Sequence, residues 1–344
     1  MSFSAFPATK VRRLAAVLTL TFAAAALTAC GTAESSSPAA GAAPNADRAA
    51  AAPGVGPGVN LDQCGKPTRT IKHDLGTTTV TGDPKRVVAL EYSFVDALVA
   101  VGMSPVGVAD DNDPKRIIPA LRQHVGEYKS VGLRTSPNVQ VITALKPDLI
   151  IADSGRHKAI YAQLSKIAPT IAYASLNGNY QQVLDSEMST AIALNKCDAM
   201  KQRLAEHAKT MADLKAEVPS GESRKALFVR ASEKGFTGYP AKGYAPGVLA
   251  TLGIKSPLPD DTADASVSLT LETLIATKPD IMFIAANPGP TLRDTWAKNP
   301  LWKQIPAVQN NATYDVDADE WSRSRGLIAS EVVAQNAVKL LYGK

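Results

Sequence analysis

Histidine is scarce: four residues in 344, at positions 73, 124, 157 and 207, with no short-spaced pair among them. A zinc or manganese receptor needs clustered imidazole and carboxylate ligands, so direct metal binding is not indicated. The chain also lacks a G-x-S-x-G elbow, an H-E-x-x-H motif and a phosphate loop, and with them the common hydrolase, zincin and nucleotide signatures. The GVGPG run at 54–58 follows no strand signal and holds a proline among its glycines, so it reads as linker. The DDND run at 110–113 could be an acid pair, but it stands before Pro114 and reads as a turn whose side chains bond their own backbone. An enzyme is therefore the weaker expectation. Excess charge is also scarce. The pI of about 9.0 suggests a nucleic-acid partner, yet Lys10, Arg12 and Arg13 lie in the first 29 residues. Without that segment 34 basic side chains face 32 acidic ones, which is no basic footprint and excludes nucleic acid as a partner.

Long apolar runs are limited to one, LAAVLTLTFAAAALTA at 14–29. It follows three basic residues, is shorter than the roughly 20 residues of a membrane span, and ends in small residues. Residues 1–29 are read as a secretion signal. The LTAC run at 27–30 resembles the bacterial lipobox, which implies a lipid on Cys30 at the mature N-terminus. Residues 30–60, rich in Ala, Pro, Gly and Ser, then form a flexible tether. Of three cysteines, Cys64 and Cys197 remain for an oxidising compartment, where they either bridge or stay as two buried thiols.

What is present is an alternation of strand and helix. ALKPDLIIAD at 144–153 returns as ATKPDIMFIA at 276–285, with Pro147 and Pro279 132 positions apart. In both copies an amphipathic run meets Lys-Pro-Asp and an unbroken apolar run follows, which predicts helix, stop and buried strand. Strand and helix signals alternate from Lys85 onward, as expected of an α/β fold with a parallel sheet. Residues 61–196 are assigned to a first lobe and 219–344 to a second. Between them, 197–218 read as one long helix with Met200, Leu204, Ala208, Met211 and Leu214 on one face and His207 solvated.

The segments RVVALEYSFVDALVAVG, ADDND, ADSGRH and DEWSRSRGLIASE, in this order, resemble the substrate-binding proteins of iron-siderophore ABC importers, in particular the ferric-dicitrate-binding type. The resemblance runs from about Arg86 to the C-terminus. It implies two Rossmann-like lobes joined by a single long helix, the class III, helical-backbone type of periplasmic binding protein, with ligand in the cleft between them. It implies an anionic ferric carboxylate chelate as ligand, with a hydroxamate or catecholate siderophore, haem or cobalamin as alternatives, and no cofactor. Iron need not touch the protein, because the chelate already fills its coordination sphere. The family docks a glutamate from each lobe on a two-subunit permease with its ATPase. Glu272 matches in the second lobe, whereas the first has Gln140 in that place. A monomer anchored by lipid to the outer face of the cell membrane follows from the same resemblance.

Independently, ligands of open α/β sheets sit beyond the carboxyl ends of the strands. The residues there are Glu91, Tyr92, Asp110 to Asp113, Arg134, Arg156 and His157 in the first lobe and Arg230, Asn287, Trp321, Arg323 and Arg325 in the second. Arginine forks suit carboxylates and aromatic faces supply apolar area. Tyr92, Arg134, Arg156, His157, Arg230, Trp321, Arg323 and Arg325 are the expected ligand-binding set, with His157 as a cleft-wall donor.

Overall fold

The computed structural model describes residues 54–260, 265–286 and 292–343. The secretion signal, Cys30, the tether as far as residue 53 and Asn287 lie outside the described residues. Each lobe is built on a five-stranded sheet. The first contains Val87–Ala89, Gly107–Val108, Lys129–Ser130, Leu149–Asp153 and Thr170–Tyr173, all parallel. The second contains Ala226–Ser232, Gly235–Gly238, Val267–Leu269, Ile281–Ala286 and Thr313–Asp317. Counted along the chain within a lobe, both sheets run 3-2-1-4-5. The order reverses beside the first strand, where open α/β sheets leave a crevice.

The second sheet is only partly parallel. Its second and third strands run antiparallel to their neighbours. The cause is local, because only Glu233 and Lys234 separate Ser232 from Gly235. A link that short can make a hairpin but never a parallel crossover. An antiparallel hairpin, Thr68–His73 with Gly76–Thr81, also precedes the first lobe's sheet.

The repeated Lys-Pro-Asp does the same work twice. Lys146 and Lys278 both end their helices in the left-handed region, at φ 46° and 45°. The proline then turns the chain into a strand whose residues are almost all buried, Leu149–Asp153 or Ile281–Ala286. Each aspartate pins the parallel strand beside it: Asp148 accepts from the amides of Lys85 and Arg86, and Asp280 from that of Lys225, all at 2.8 Å. The helices also begin alike. Asn138 and Thr270 cap them with their side chains, which places Gln140 and Glu272 at equivalent second positions, both exposed.

Helix Cys197–Glu217 lies in sequence between the lobes. Its buried stripe is Cys197, Met200, Leu204, His207 and Met211, spaced three and four residues apart. His207 is therefore not the solvated residue expected; Ala208 is exposed instead. Burial of the imidazole is compensated by two partners, Tyr180 Oη at 2.5 Å from Nε2 and Glu331 Oε1 at 2.8 Å from Nδ1. The last helix, Leu327–Tyr342, packs on this helix and also on Tyr92–Ala100 and Tyr244–Thr251. Cys64 and Cys197 are bridged, with Cα atoms 5.8 Å apart, which ties the segment before the hairpin to the start of the long helix. Among the described residues no helix is long and apolar enough to cross a membrane, and no group of three or more His, Cys, Asp or Glu could hold a metal ion.

Candidate functional site

The first strand of the first lobe ends at Ala89, and Glu91 follows it fully buried at the crevice. A carboxylate so placed is costly unless paired. It is paired twice: Arg134 Nη1 lies 3.0 Å from Oε2, and Arg156 Nε lies 2.7 Å from Oε1. The second contact is an ion pair without hydrogen-bond alignment, since neither of its atoms has a hydrogen-bond partner. Burial pushes the Glu91 carboxyl upward, and Arg134 and Arg156 pull it back.

The arginines expected as one set divide into different classes. Arg134 is saturated: Nη1 serves Glu91, while Nε and Nη2 donate to Asp111 at 3.0 and 2.9 Å. Burial disfavours its charge, but Glu91 and Asp111 outweigh burial and hold its pKa above the ordinary value. Arg156 spends only its Nε on Glu91, and its terminal nitrogens have no partner among the described residues. Arg325, at 6% exposure, forms no hydrogen bond or ion pair among the described residues. Burial lowers its pKa; the fields of Tyr239 and Glu91 oppose this, while those of Arg134 and Arg156 add to it. Arg323 is paired with Asp319. Arg230 is half-buried and, by strand alternation, shares the sheet face of Phe228.

Tyr92 and His157 take different places from those expected. Tyr92 is fully buried, donates its hydroxyl to the Asp110 carbonyl at 3.0 Å, and lies under the Arg134 guanidinium 4.5 Å from its ring centroid. It supports Arg134 by a cation–π contact and offers no open face to a ligand. His157 is fully buried too. Its Nδ1 accepts from the Asp153 amide and its Nε2 donates to the Arg134 carbonyl, both at 2.8 Å. With both nitrogens spent and its pKa lowered by burial, it is a neutral strut between the loops of Arg134 and Arg156 rather than a cleft-wall donor. Asp153 completes the frame by accepting amides of Gly155 and Arg156 on one oxygen and of Ser175 and Leu176 on the other.

Beside Arg325 opens a pocket of about 420 Å³. The first lobe contributes Leu176 to Asn179, and the second contributes Phe228, Tyr239, Tyr244, Trp321 and Ser322. Trp321 is its floor rather than a free wall. The indole is 1% exposed and packs 4.6 Å from Phe283 and 5.6 Å from Phe228 between ring centroids. It sits on a π-helical turn, Asp319–Arg323, an irregularity common at functional sites. On this turn the Trp321 Nε1 and the Ser322 hydroxyl are buried with no hydrogen-bond partner among the described residues. Tyr239 and Tyr244 were not predicted, because Tyr239 follows a hairpin strand that carries no apolar alternation.

Around the crevice Arg134, Arg156 and Arg325 gather near Glu91 and Asp111, with Asp153 holding the loop of Arg156. The profile of one family, Periplasmic binding protein, matches residues 87–320, which span most of both lobes. The chain belongs to that family. It is 47% identical over 279 residues to the Fe(3+)-citrate-binding protein YfmC of Bacillus subtilis, covering 81% of this chain and 88% of that one. It is 38% identical over 274 residues to the Fe(3+) dicitrate-binding periplasmic protein FecB of Escherichia coli, covering 79% and 90%. Among solved structures, Staphylococcus aureus SirA complexed with staphyloferrin B superposes with a TM-score of 0.71 at 27% identity, over 80% of this chain and 98% of that one.

Proposed function

We propose that this chain is the substrate-binding lipoprotein of an ABC importer and captures a ferric siderophore, ferric citrate or another anionic carboxylate chelate, in the pocket between its lobes. The observation that carries this reading is Arg325, a buried guanidinium that lines the pocket and has no partner among the described residues, with the terminal nitrogens of Arg156, likewise without one there, nearby. Such a group keeps its charge at a cost unless a ligand carboxylate completes it. The names of YfmC and FecB agree with a citrate chelate. Arg156 and Arg325 contact the ligand, Arg134 shapes the site through Glu91, and Trp321 supplies the apolar floor. No cofactor takes part, and the protein is no enzyme.

The finer organisation follows the same reading. Residues 1–29 are removed, Cys30 carries the lipid that holds the protein on the outer face of the membrane, and residues 30–60 are the tether. Lobes 61–196 and 219–344 are joined by helix 197–218 and act as a monomer. Exposed Glu272 and Gln140 meet the two permease subunits at equivalent helix positions. Calorimetric titration with ferric citrate, iron-free citrate and a neutral ferric hydroxamate tests the function. Ferric citrate should bind most tightly; equal binding of the hydroxamate would refute the anionic-carboxylate assignment.

A further inference from the structure

Two acids with no part in ligand contact lie directly behind the arginine segment. Asp96, on helix Tyr92–Ala100, and Glu187, on helix Tyr180–Ala193, belong to the first lobe and are fully buried. Both face the start of the last helix, Leu327–Tyr342, two to four residues after Arg325. Asp96 accepts the amide of Ile328 at 3.0 Å and that of Ala329 at 2.8 Å; Glu187 accepts the amide of Leu327 at 3.3 Å. These amides have no partner inside the helix, so the two carboxylates satisfy its free donors.

The residue between Arg325 and the helix is held from both sides. Tyr244 Oη donates to the Gly326 carbonyl at 2.7 Å and accepts from the Gly326 amide at 3.1 Å. A Cβ on Gly326 would meet Asp96 Cγ at 2.1 Å, so only glycine allows the carboxylate this close. Two helices of one lobe and one of the other thus converge on four consecutive residues, Gly326 to Ala329, that follow a ligand-facing arginine.

We propose that Asp96 and Glu187 are positioning residues for Arg325: the first lobe grips the start of the last helix and thereby holds the second lobe's arginine in the pocket. This inference rests on the assignment of Arg325 to ligand contact. The grip is indirect, because neither acid lines the pocket, and it makes ligand affinity depend on contacts behind the site.

A double-mutant cycle on the full chain, with ferric citrate as probe and calorimetry as readout, tests it. Asp96→Ala should weaken ferric citrate at least ten-fold. Asp96→Asn, which keeps an acceptor, should recover most of that loss. Asp96→Ala added to Arg325→Ala should cost no more than Arg325→Ala alone, since Asp96 acts through Arg325. An additive double mutant, or wild-type affinity in Asp96→Ala, would overturn the proposal. Amide exchange is read in the same proteins without ligand, and exchange at residues 327–329 should accelerate in Asp96→Ala. If the wild type binds no ferric citrate, the functional reading fails on its own, and unchanged exchange at 327–329 would then sink the grip separately. Should Asp96→Ala not fold, Glu187→Ala takes its place in the cycle with the same expected and overturning results.

Discussion

Replacing Arg325 by methionine should move ligand affinity and stability in opposite directions. The guanidinium is buried, has no partner among the described residues, and has its pKa lowered chiefly by burial. The pocket leaves the guanidinium nitrogens in contact with solvent, but partial burial of the charge still costs about 1 to 3 kcal/mol, and methionine fills a similar volume without that cost. Stability should rise by about 1 to 3 kcal/mol, which for a domain of this size is about 2 to 6 °C in Tm. Affinity should fall, because a ligand carboxylate loses a desolvated charged partner. The expected loss is about 2 to 4 kcal/mol, or roughly 30- to 700-fold in Kd. Scanning calorimetry of the ligand-free protein and isothermal titration with ferric citrate measure the two effects. A variant that melts earlier and binds ferric citrate as tightly as the wild type would refute the reasoning, since Arg325 would then be a structural contact.

Three further outcomes are expected. Asp96 has a folded pKa pushed up to about 7 by burial and the Glu331 charge, against the Ile328 and Ala329 amides and Arg203, and Glu187 is raised by burial and by Asp96. A raised carboxyl stabilises most below its unfolded pKa of about 3.9, and that contribution is lost as pH rises through about 7. His73 and His157, lowered by burial, act oppositely in an overlapping range. The Tm difference between wild type and Glu187→Gln should therefore shrink from pH 5 to pH 8; a constant difference would contradict the linkage. Glu272→Gln should strongly reduce transport at unchanged ligand affinity and Gln140→Ala should reduce it less, because glutamine lacks the charge-assisted part of an arginine contact; wild-type import by Glu272→Gln would count against docking. Cys64→Ser with Cys197→Ser opens a loop closed by a bridge across 133 residues and should cost about 5 kcal/mol, read by urea unfolding; no change in midpoint would refute a stabilising bridge.

The sequence made the scaffold legible where its signals are local. Lys-Pro-Asp dictates helix end, turn and buried strand through the fixed φ of proline, and both copies fold alike. The carboxyl ends of the strands named loops that meet around Glu91, because a strand's direction fixes where its successor loop emerges. The antiparallel pair in the second sheet escaped notice. Its strands are short, and Gly235–Gly238 offers two glycines and little alternation.

Within those loops the roles of individual side chains were not legible. Five arginines look alike in a sequence, yet Arg134 is saturated by two carboxylates, Arg323 is paired with Asp319, and Arg325 is left to the pocket. His157 is the residue type of a cleft donor, yet both its nitrogens bind backbone, and His207, flanked by polar residues in sequence, takes a place on the buried stripe of its helix. The sequence by itself determined the lobes, the turns between helix and strand, and the arginine-rich chemistry of the crevice, since these follow from backbone preferences and residue type. Only the tertiary structure decided that Arg325 lines the pocket with no partner among the described residues, and that Asp96 and Glu187 stand behind it, because pairing depends on distances between segments that are up to 233 residues apart in the chain.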